Sequence, residues 1–559
     1  MNSFRNPDDR KFLIEESTDY PFWVLNDKQI CDLELILNGG FYPLNGFLNK
    51  IDYNSVLENK RLSNGSLWPI PVTLDVDRDL LDITKNLEYL TLKDKEGFPL
   101  AILKVEDIWK PDIIKEANCI LKTADPYHPH ANYLLKNKNR LYVGGKLKKI
   151  SLPNHHDFKE IRHTASQLKS IIKKNKWEKV VAFQTRNPMH RAHFEMTLNA
   201  INDFNAKLLI PPVAGVTKPG DVDYFTRVRC YNHVLKKYPK NTAMLSLIPL
   251  AMRMAGPREA LWHALIRKNF GCSHIIIGRD HAGPGKNKEG KDFYGQYDAQ
   301  ELVKEYESEI GIKMIPFSFM VYLPKHKVYK SIDELEKNTE IKNLSGTDLR
   351  NLLKKGKGIP RWFTFKNVSK ELEASSPPIT KRGFTVFFTG LSGSGKSTLA
   401  NGLLMKLLEY GTRPVTLLDG DIVRRSLSSE LGFSKRHRSL NVQRIGFVAS
   451  EITKNNGIAI CAPIAPYESD RLINRKLIEK FGGYIEVYVN TPLKICEKRD
   501  PKGLYKLAKE GKIKEFTGIS DPYEKPYNSE IIIDTSIKKP DELINKIYYK
   551  IVDLGYVKN

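Results

Sequence analysis

No apolar run in this 559-residue chain approaches the roughly 18 residues that cross a bilayer. The opening MNSFRNPDDRKFLIEE has neither the basic flank nor the apolar centre of a secretion signal. A cytoplasmic protein without a membrane partner is therefore expected. Cysteine is sparse: Cys31, Cys119, Cys230, Cys272, Cys461 and Cys496 are scattered, with no Cys-x-x-Cys pair. Reduced, mostly buried thiols and no zinc site follow from that spacing. Acidic residues are in deficit, 65 against 89 Lys plus Arg, which leaves a formal charge of +24. Basic runs such as KKNKWEK and LLKNKNR have no regular interleaving of aromatic residues. They read as solvated faces, with no nucleic acid expected, and the charge suits small anionic substrates.

What is present is enough apolar material for several cores. A chain of this length exceeds the roughly 250–300 residues at which one core stops growing, and 41% of it is hydrophobic. Residues 1–168 read as a β-rich domain, with short strand-like pieces in LWPIPVTLDVD, NLEYLTLKDKEGFPLAILKVEDIW and NRLYVGGKLKKI. Over 169–325 buried strands (KVVAFQ, AKLLIPPVAG, AMLSLIPL, CSHIIIGRD) alternate with helical stretches, the pattern of a doubly wound parallel sheet. A small connecting domain at 326–378 ends in the linker-like KELEASSPPITKRG, and a second α/β unit occupies 379–559. The fold class is thus α/β and multidomain.

The second unit opens on FTVFFTGLSGSGKST. Gly390, Leu391, Ser392, Gly393, Ser394, Gly395, Lys396, Ser397 and Thr398 form a phosphate loop between a strand and a helix. Its glycines let backbone N–H groups turn toward phosphate oxygens, Lys396 reaches the β/γ-phosphates, and Ser397 ligates the Mg²⁺ that accompanies ATP. Beyond it, Asp419 and Asp421 stand at a strand end, where a carboxylate can take a hydroxyl proton. Arg424, Arg438 and Asn441 can clamp an anionic acceptor, and Phe433 can stack on a base.

The first α/β unit carries KVVAFQTRNPMHRAHFEMTLNA. Asn187 is read as a helix cap with Pro188 at the first helical position, so that His190 and His193 share the opening turn. Imidazoles over a helix N-terminus can stabilise the charge growing on a departing pyrophosphate. Gln184 and Arg186 leave the same turn and can receive a second anion. Arg253 in MRMAGPREALWHA, and Arg279, Asp280 and His281 in GRDHAGPG, end further strands and are expected at the same edge.

Over 380–559 the chain resembles adenylylsulfate (APS) kinase, through GLSGSGKST, DGDIVR, the LGFS to RIG stretch, APIAPYESDR, KGLY and FTGISDPYE. The resemblance implies that Asp421 activates the 3′-hydroxyl of APS, with Arg424, Phe433, Arg438, Asn441, Ile464, Lys502 and Phe516 holding this acceptor. Ala465 stands where many relatives carry a serine, and Ile422 where they often carry Asn. Most of 1–375 is similar to ATP sulfurylase, through QTRNPMHRAH, GRDHAGPG, TADPYHPHANYL and LSGTDLR. That likeness implies a PUA-like N-terminal barrel and a Rossmann-like nucleotidyltransferase domain. It puts sulfate near Gln184, Arg186 and the Ala282 backbone, and ATP phosphates near Thr185, Asn187, His190, His193 and Arg279. Sulfurylase-first order is similar to the fungal ATP sulfurylases, whose C-terminal unit has lost the phosphate loop and acts as a sensor; here the loop is intact. The implied activity is conversion of ATP and sulfate to APS and pyrophosphate, then of APS and ATP to PAPS and ADP. The alternative is a sulfurylase regulated by a PAPS- or APS-binding module. A homo-oligomer is also implied.

Overall fold

The computed structural model describes residues 7–80, 87–215, 221–316, 319–411, 413–513 and 515–558. They fall into two compact units, Met1–Ser345 with Ile359–Leu372, and Gly346–Gly358 with Glu373–Asn559.

The first unit holds two main sheets. A mixed six-stranded sheet is built on the long strands Pro99–Trp109 and Leu141–Lys149, which pair antiparallel; Tyr89–Lys93 pairs antiparallel with the former and carries Phe22–Val24, parallel, at the edge. Helices missed by the short-strand reading pack around it, among them Asp27–Leu37, Lys50–Asn59 and Ile113–Leu121. Each is capped by an Asn or Asp side chain that accepts from the backbone N–H three residues on, at Asn26, Asn49 and Asp112. The second sheet is parallel throughout, in the order Lys313–Pro316, His274–Ile277, Val180–Ala182, Lys207–Ile210, Ala243–Leu245. All four strands expected from the apolar runs are present, and Lys313–Pro316 extends the edge.

One continuous core runs beneath both sheets. Phe41, Trp68 and Trp262 meet there, with ring centroids 5.0–6.3 Å apart. The helix Ala165–Lys174, held by a Thr164 capping box, runs through residue 168, so the two regions are packed as one body. An antiparallel hairpin, Met320–Leu323 with Val328–Ser331, follows.

The second unit is a five-stranded parallel sheet in the order Val415–Asp419, Ile458–Ala462, Phe384–Thr389, Gly483–Val489, Ile531–Ile533. These strands fall on the apolar runs VTLLD, IAICA, FTVFFT, GYIEVYV and III. Phe384–Thr389 is buried along its whole length, as a central strand covered on both faces must be. Helices Lys396–Tyr410 and Pro540–Asp553 close one face over Leu399, Leu403, Leu543 and Ile547. Lys435–Lys454 and Glu468–Ile478 close the other over Val442, Ile445 and Ile478.

Candidate active sites

In the first unit a cleft of about 450 Å³ opens at the carboxyl ends of the adjacent strands Val180–Ala182 and His274–Ile277. Gln184, Thr185, Arg186, Asn187 and His193 line one wall; Arg279, Asp280, His281 and Ala282 line the other. A break in the order of a parallel sheet leaves room there for a ligand. Arg186 reaches across the cleft: Nη2 donates to Gly283 O at 3.1 Å, and Nη1 lies 3.4 Å from Asp221. The Arg279 guanidinium lies 4.4 Å from the Phe319 ring centroid. The Gln184 Oε1 is buried with no protein hydrogen bond.

The helix at this edge starts later than expected. It spans Arg191–Asp203 with His190, not Asn187, as its N-cap; the His193 ring accepts from the His190 backbone N–H at 3.2 Å. The extended backbone that a cap requires falls at His190, with φ −107° and ψ 178°. Residues 183–187 therefore form an irregular turn beneath the helix. The two imidazoles, 6.0 Å apart, also part company. His193 faces the cleft, and desolvation lowers its pKa to about 4, which keeps it neutral. His190 is buried behind it, tilted against Phe363 with ring centroids 4.3 Å apart and Nδ1 3.0 Å from Thr364 Oγ1, and is not part of the lining. Arg253 also misses the cleft. It is buried, 2.6 Å from Asp32 and against Trp262, so its charge is spent inside the protein.

Two supports had no local sequence signal. The buried Tyr231 hydroxyl meets Thr185 O at 2.9 Å and Asn187 O at 2.8 Å, fixing the turn from helix Tyr224–Leu235. Phe363 and Thr364 reach His190 from more than 170 positions along the chain.

In the second unit the phosphate loop links strand Phe384–Thr389 to helix Lys396–Tyr410. Gly393 (φ 70°) and Gly395 (φ 97°) adopt backbone that glycine tolerates best. Lys396 Nζ donates to Leu391 O at 2.8 Å, and burial brings its pKa down to about 8. Ser397 Oγ donates to Asp419 Oδ2 at 2.8 Å, so a hydroxyl and a carboxylate stand together at the helix start, oxygen donors of the type a hard cation takes. Asp419 also caps the helix Gly420–Ser426 by accepting from Asp421 N, which leaves the Asp421 carboxylate exposed and ion-paired with Lys502.

The residues expected to hold the acceptor cluster nearby. Arg424 lies 4.5 Å from the exposed Phe433 ring and donates to Leu431 O and Gly432 O. Arg438 donates to Thr517 Oγ1 at 2.7 Å and sits 3.1 Å from Asp521. Asn441 Oδ1 is buried with no protein partner. Phe516 packs edge-on to Tyr505, whose hydroxyl donates to Ser392 O in the phosphate loop. Ile464 contributes its carbonyl, which accepts from Thr389 Oγ1 and Gly390 N. A further cleft of about 510 Å³, between Tyr488–Leu493 and Gly518–Tyr523, touches the loop at Leu391 and includes none of the predicted acceptor residues.

Residues 1–152 match the PUA-like domain family, 159–375 the ATP-sulfurylase family and 382–534 the adenylylsulphate kinase family. A sulfate adenylyltransferase from Gibberella zeae is 50% identical over 96% of this chain and 94% of its own length. One from Yarrowia lipolytica is 48% identical over 98% and 96%. A solved structure, the hexameric APS kinase from Thiobacillus denitrificans, is 36% identical with a TM-score of 0.81, covering 99% of this chain and 97% of that one. With both nucleotide-binding units present and near-complete overlap with these relatives, the chain belongs to the sulfate adenylyltransferase family, in the form that pairs ATP sulfurylase with an APS kinase domain for sulfate activation to APS and PAPS.

Proposed function

We propose that the cleft of the first unit makes APS and that the phosphate-loop site of the second phosphorylates it, each with the residues named above. The observation that carries this reading is the meeting of Gln184–Asn187, His193 and Arg279–Ala282 around one cleft. In the first step a sulfate oxygen, held by Arg186, Gln184 and the Ala282 N–H, attacks the α-phosphorus of ATP. The bond to the β-phosphate oxygen breaks as the new one forms, and pyrophosphate leaves. Thr185, Asn187, His193 and Arg279 hold the phosphates, and His190 supports them through the helix start. Neutral His193 acts as a hydrogen-bond donor to the departing oxygens. No covalent enzyme intermediate is needed.

In the second step the APS 3′-hydroxyl attacks the γ-phosphorus of a second ATP, its proton passes to Asp421, and ADP leaves. Lys502 must first release Asp421, because an ion-paired carboxylate is a weaker base; the anionic acceptor gives Lys502 an alternative partner. Mg²⁺ arriving with ATP would be held by Ser397 with Asp419 beside it, where it neutralises phosphate charge. Arg424, Arg438, Asn441, Phe433 and Phe516 grip the acceptor. The domain limits are proposed as 1–168, 169–325, 326–378 and 379–559. A cytoplasmic homo-oligomer is proposed as well, on the hexameric description of the Thiobacillus relative.

Two variants separate the steps. Arg186→Ala should abolish APS formation and leave phosphorylation of supplied APS unchanged. Asp421→Asn should do the reverse. Loss of both steps in either variant, or of neither, contradicts the assignment.

A further inference from the structure

The helix Gly256–Asn269 runs beneath the sulfurylase cleft and carries three buried titratable residues, Glu259, His263 and Arg267, for which the mechanism has no use; the first two concern the cleft wall, and the Arg267 charge helps hold the nearby imidazoles neutral. Glu259 and His263 lie four apart and so share a face. Glu259 accepts from Arg253 N at 3.0 Å and Ala255 N at 2.8 Å, which ties down the segment that brings Met252 into the cleft. His263 Nε2 lies 3.3 Å from Glu259 Oε1, an electrostatic contact outside hydrogen-bond geometry, and its Nδ1 is hydrogen-bonded to His281 Nε2 at 3.0 Å. His281 is part of the cleft wall. A carboxylate and two imidazoles thus run in series from the helix to the substrate side.

The order of protons along this series follows from the chemistry. Burial alone raises the Glu259 pKa, but the facing imidazole and the two backbone N–H groups outweigh it, so the carboxyl is held below its usual range as an anion. A lone pair turned toward that anion would be repelled, so His263 carries its proton on Nε2. Its Nδ1 is then an acceptor, and His281 Nε2–H is the donor. Burial keeps both rings neutral.

The wall that His281 anchors holds two non-glycine residues in left-handed backbone, Asp280 (φ 47°) and Ala282 (φ 55°). Such residues persist where the surroundings over-determine them. Backbone bonds from Asp280 N to Gln296 O and from Gly256 N to Ala282 O contribute, and the His281–His263 bond joins the turn to the helix.

We infer that Glu259 and His263 are positioning residues for the adenylyl-transfer step: through the proton order they impose on His281, they hold the His281–Ala282 backbone where it receives the sulfate, while Arg279 keeps its separate seat against Phe319. This rests on the reading that the cleft is the sulfurylase site, with Ala282 at the sulfate.

The test uses the full chain with His263→Leu and His263→Asn. The Asn side-chain oxygen can take the place of Nδ1 and accept from His281, whereas Leu cannot. A displaced turn should raise the sulfate KM of His263→Leu by roughly tenfold or more, with the ATP KM within about twofold, and His263→Asn should return the sulfate KM to within about threefold of the parent. The inference is overturned if Asn is no better than Leu, if Leu matches the parent, or if the ATP and sulfate constants worsen together. Should His263→Leu fail to fold, parental kinetics in His263→Asn sustain the inference and a raised sulfate KM there overturns it. Arg186→Ala, run alongside, tells the two failures apart. If it still makes APS, the reading of the cleft is wrong; if it does not and His263→Leu is parental, only the inference is.

Discussion

Among individual residues, His193 illustrates how placement sets chemistry. Desolvation lowers its pKa to about 4, below the ordinary 6.5. The folded protein therefore binds this proton less readily than the unfolded chain. Its contribution to stability is full above pH 6.5 and is lost as pH falls toward 4. Urea unfolding of the full chain between pH 7 and 4.5 should show a fall in the first unit's midpoint that His193→Gln makes shallower; an unchanged slope in that variant contradicts the buried neutral state. The sequence pointed to His193 through its place three positions after another histidine in a strand–turn–helix context. It did not separate the two, because the burial of His190 depends on Phe363 and Thr364, far away in the chain. Arg253 was misread for a related reason. A strand-end arginine looks like an anion ligand until the distant Asp32 comes into view.

At the level of elements, the parallel strands were legible because a strand buried on both faces is an apolar run bounded by turn residues. Site loops were legible where backbone chemistry restricts residue type. Gly395 is the sharpest case: it has φ 97°, and a Cβ there would come within 3.0 Å of Thr535 Cγ2. Gly395→Ala should cost about 1–2 kcal/mol locally and lower the rate of PAPS formation from supplied APS about tenfold or more. APS formation should not change; a parental kinase rate would show the loop backbone to be dispensable. The N-terminal helices were the least legible elements. Their caps are ordinary Asn and Asp residues, and their apolar faces pair with a core shared with residues far along the chain. The capping position at His190 was missed because Asn187-Pro188 offers a stronger local signal than the fold uses.

For the whole molecule, the charge of +24 acquires a purpose in a family whose substrates are anions. A positive field raises encounter rates with ATP, sulfate and APS, and salt screens it with a Debye length of about 10 Å at 0.1 M. The kcat/KM of both steps should fall as ionic strength rises from 0.05 to about 0.5 M, and a salt-independent value for both would remove that role. Joining the two units also has a thermodynamic sense. The anhydride made first is an uphill product, and a kinase on the same chain draws it forward. The most direct measurement is a time course with labelled sulfate, Mg-ATP and pyrophosphatase, resolving APS from PAPS for the parent chain and for Lys396→Ala. The account predicts APS followed by PAPS in the parent, and APS alone, accumulating, in the variant. PAPS made by Lys396→Ala at the parental rate would contradict it.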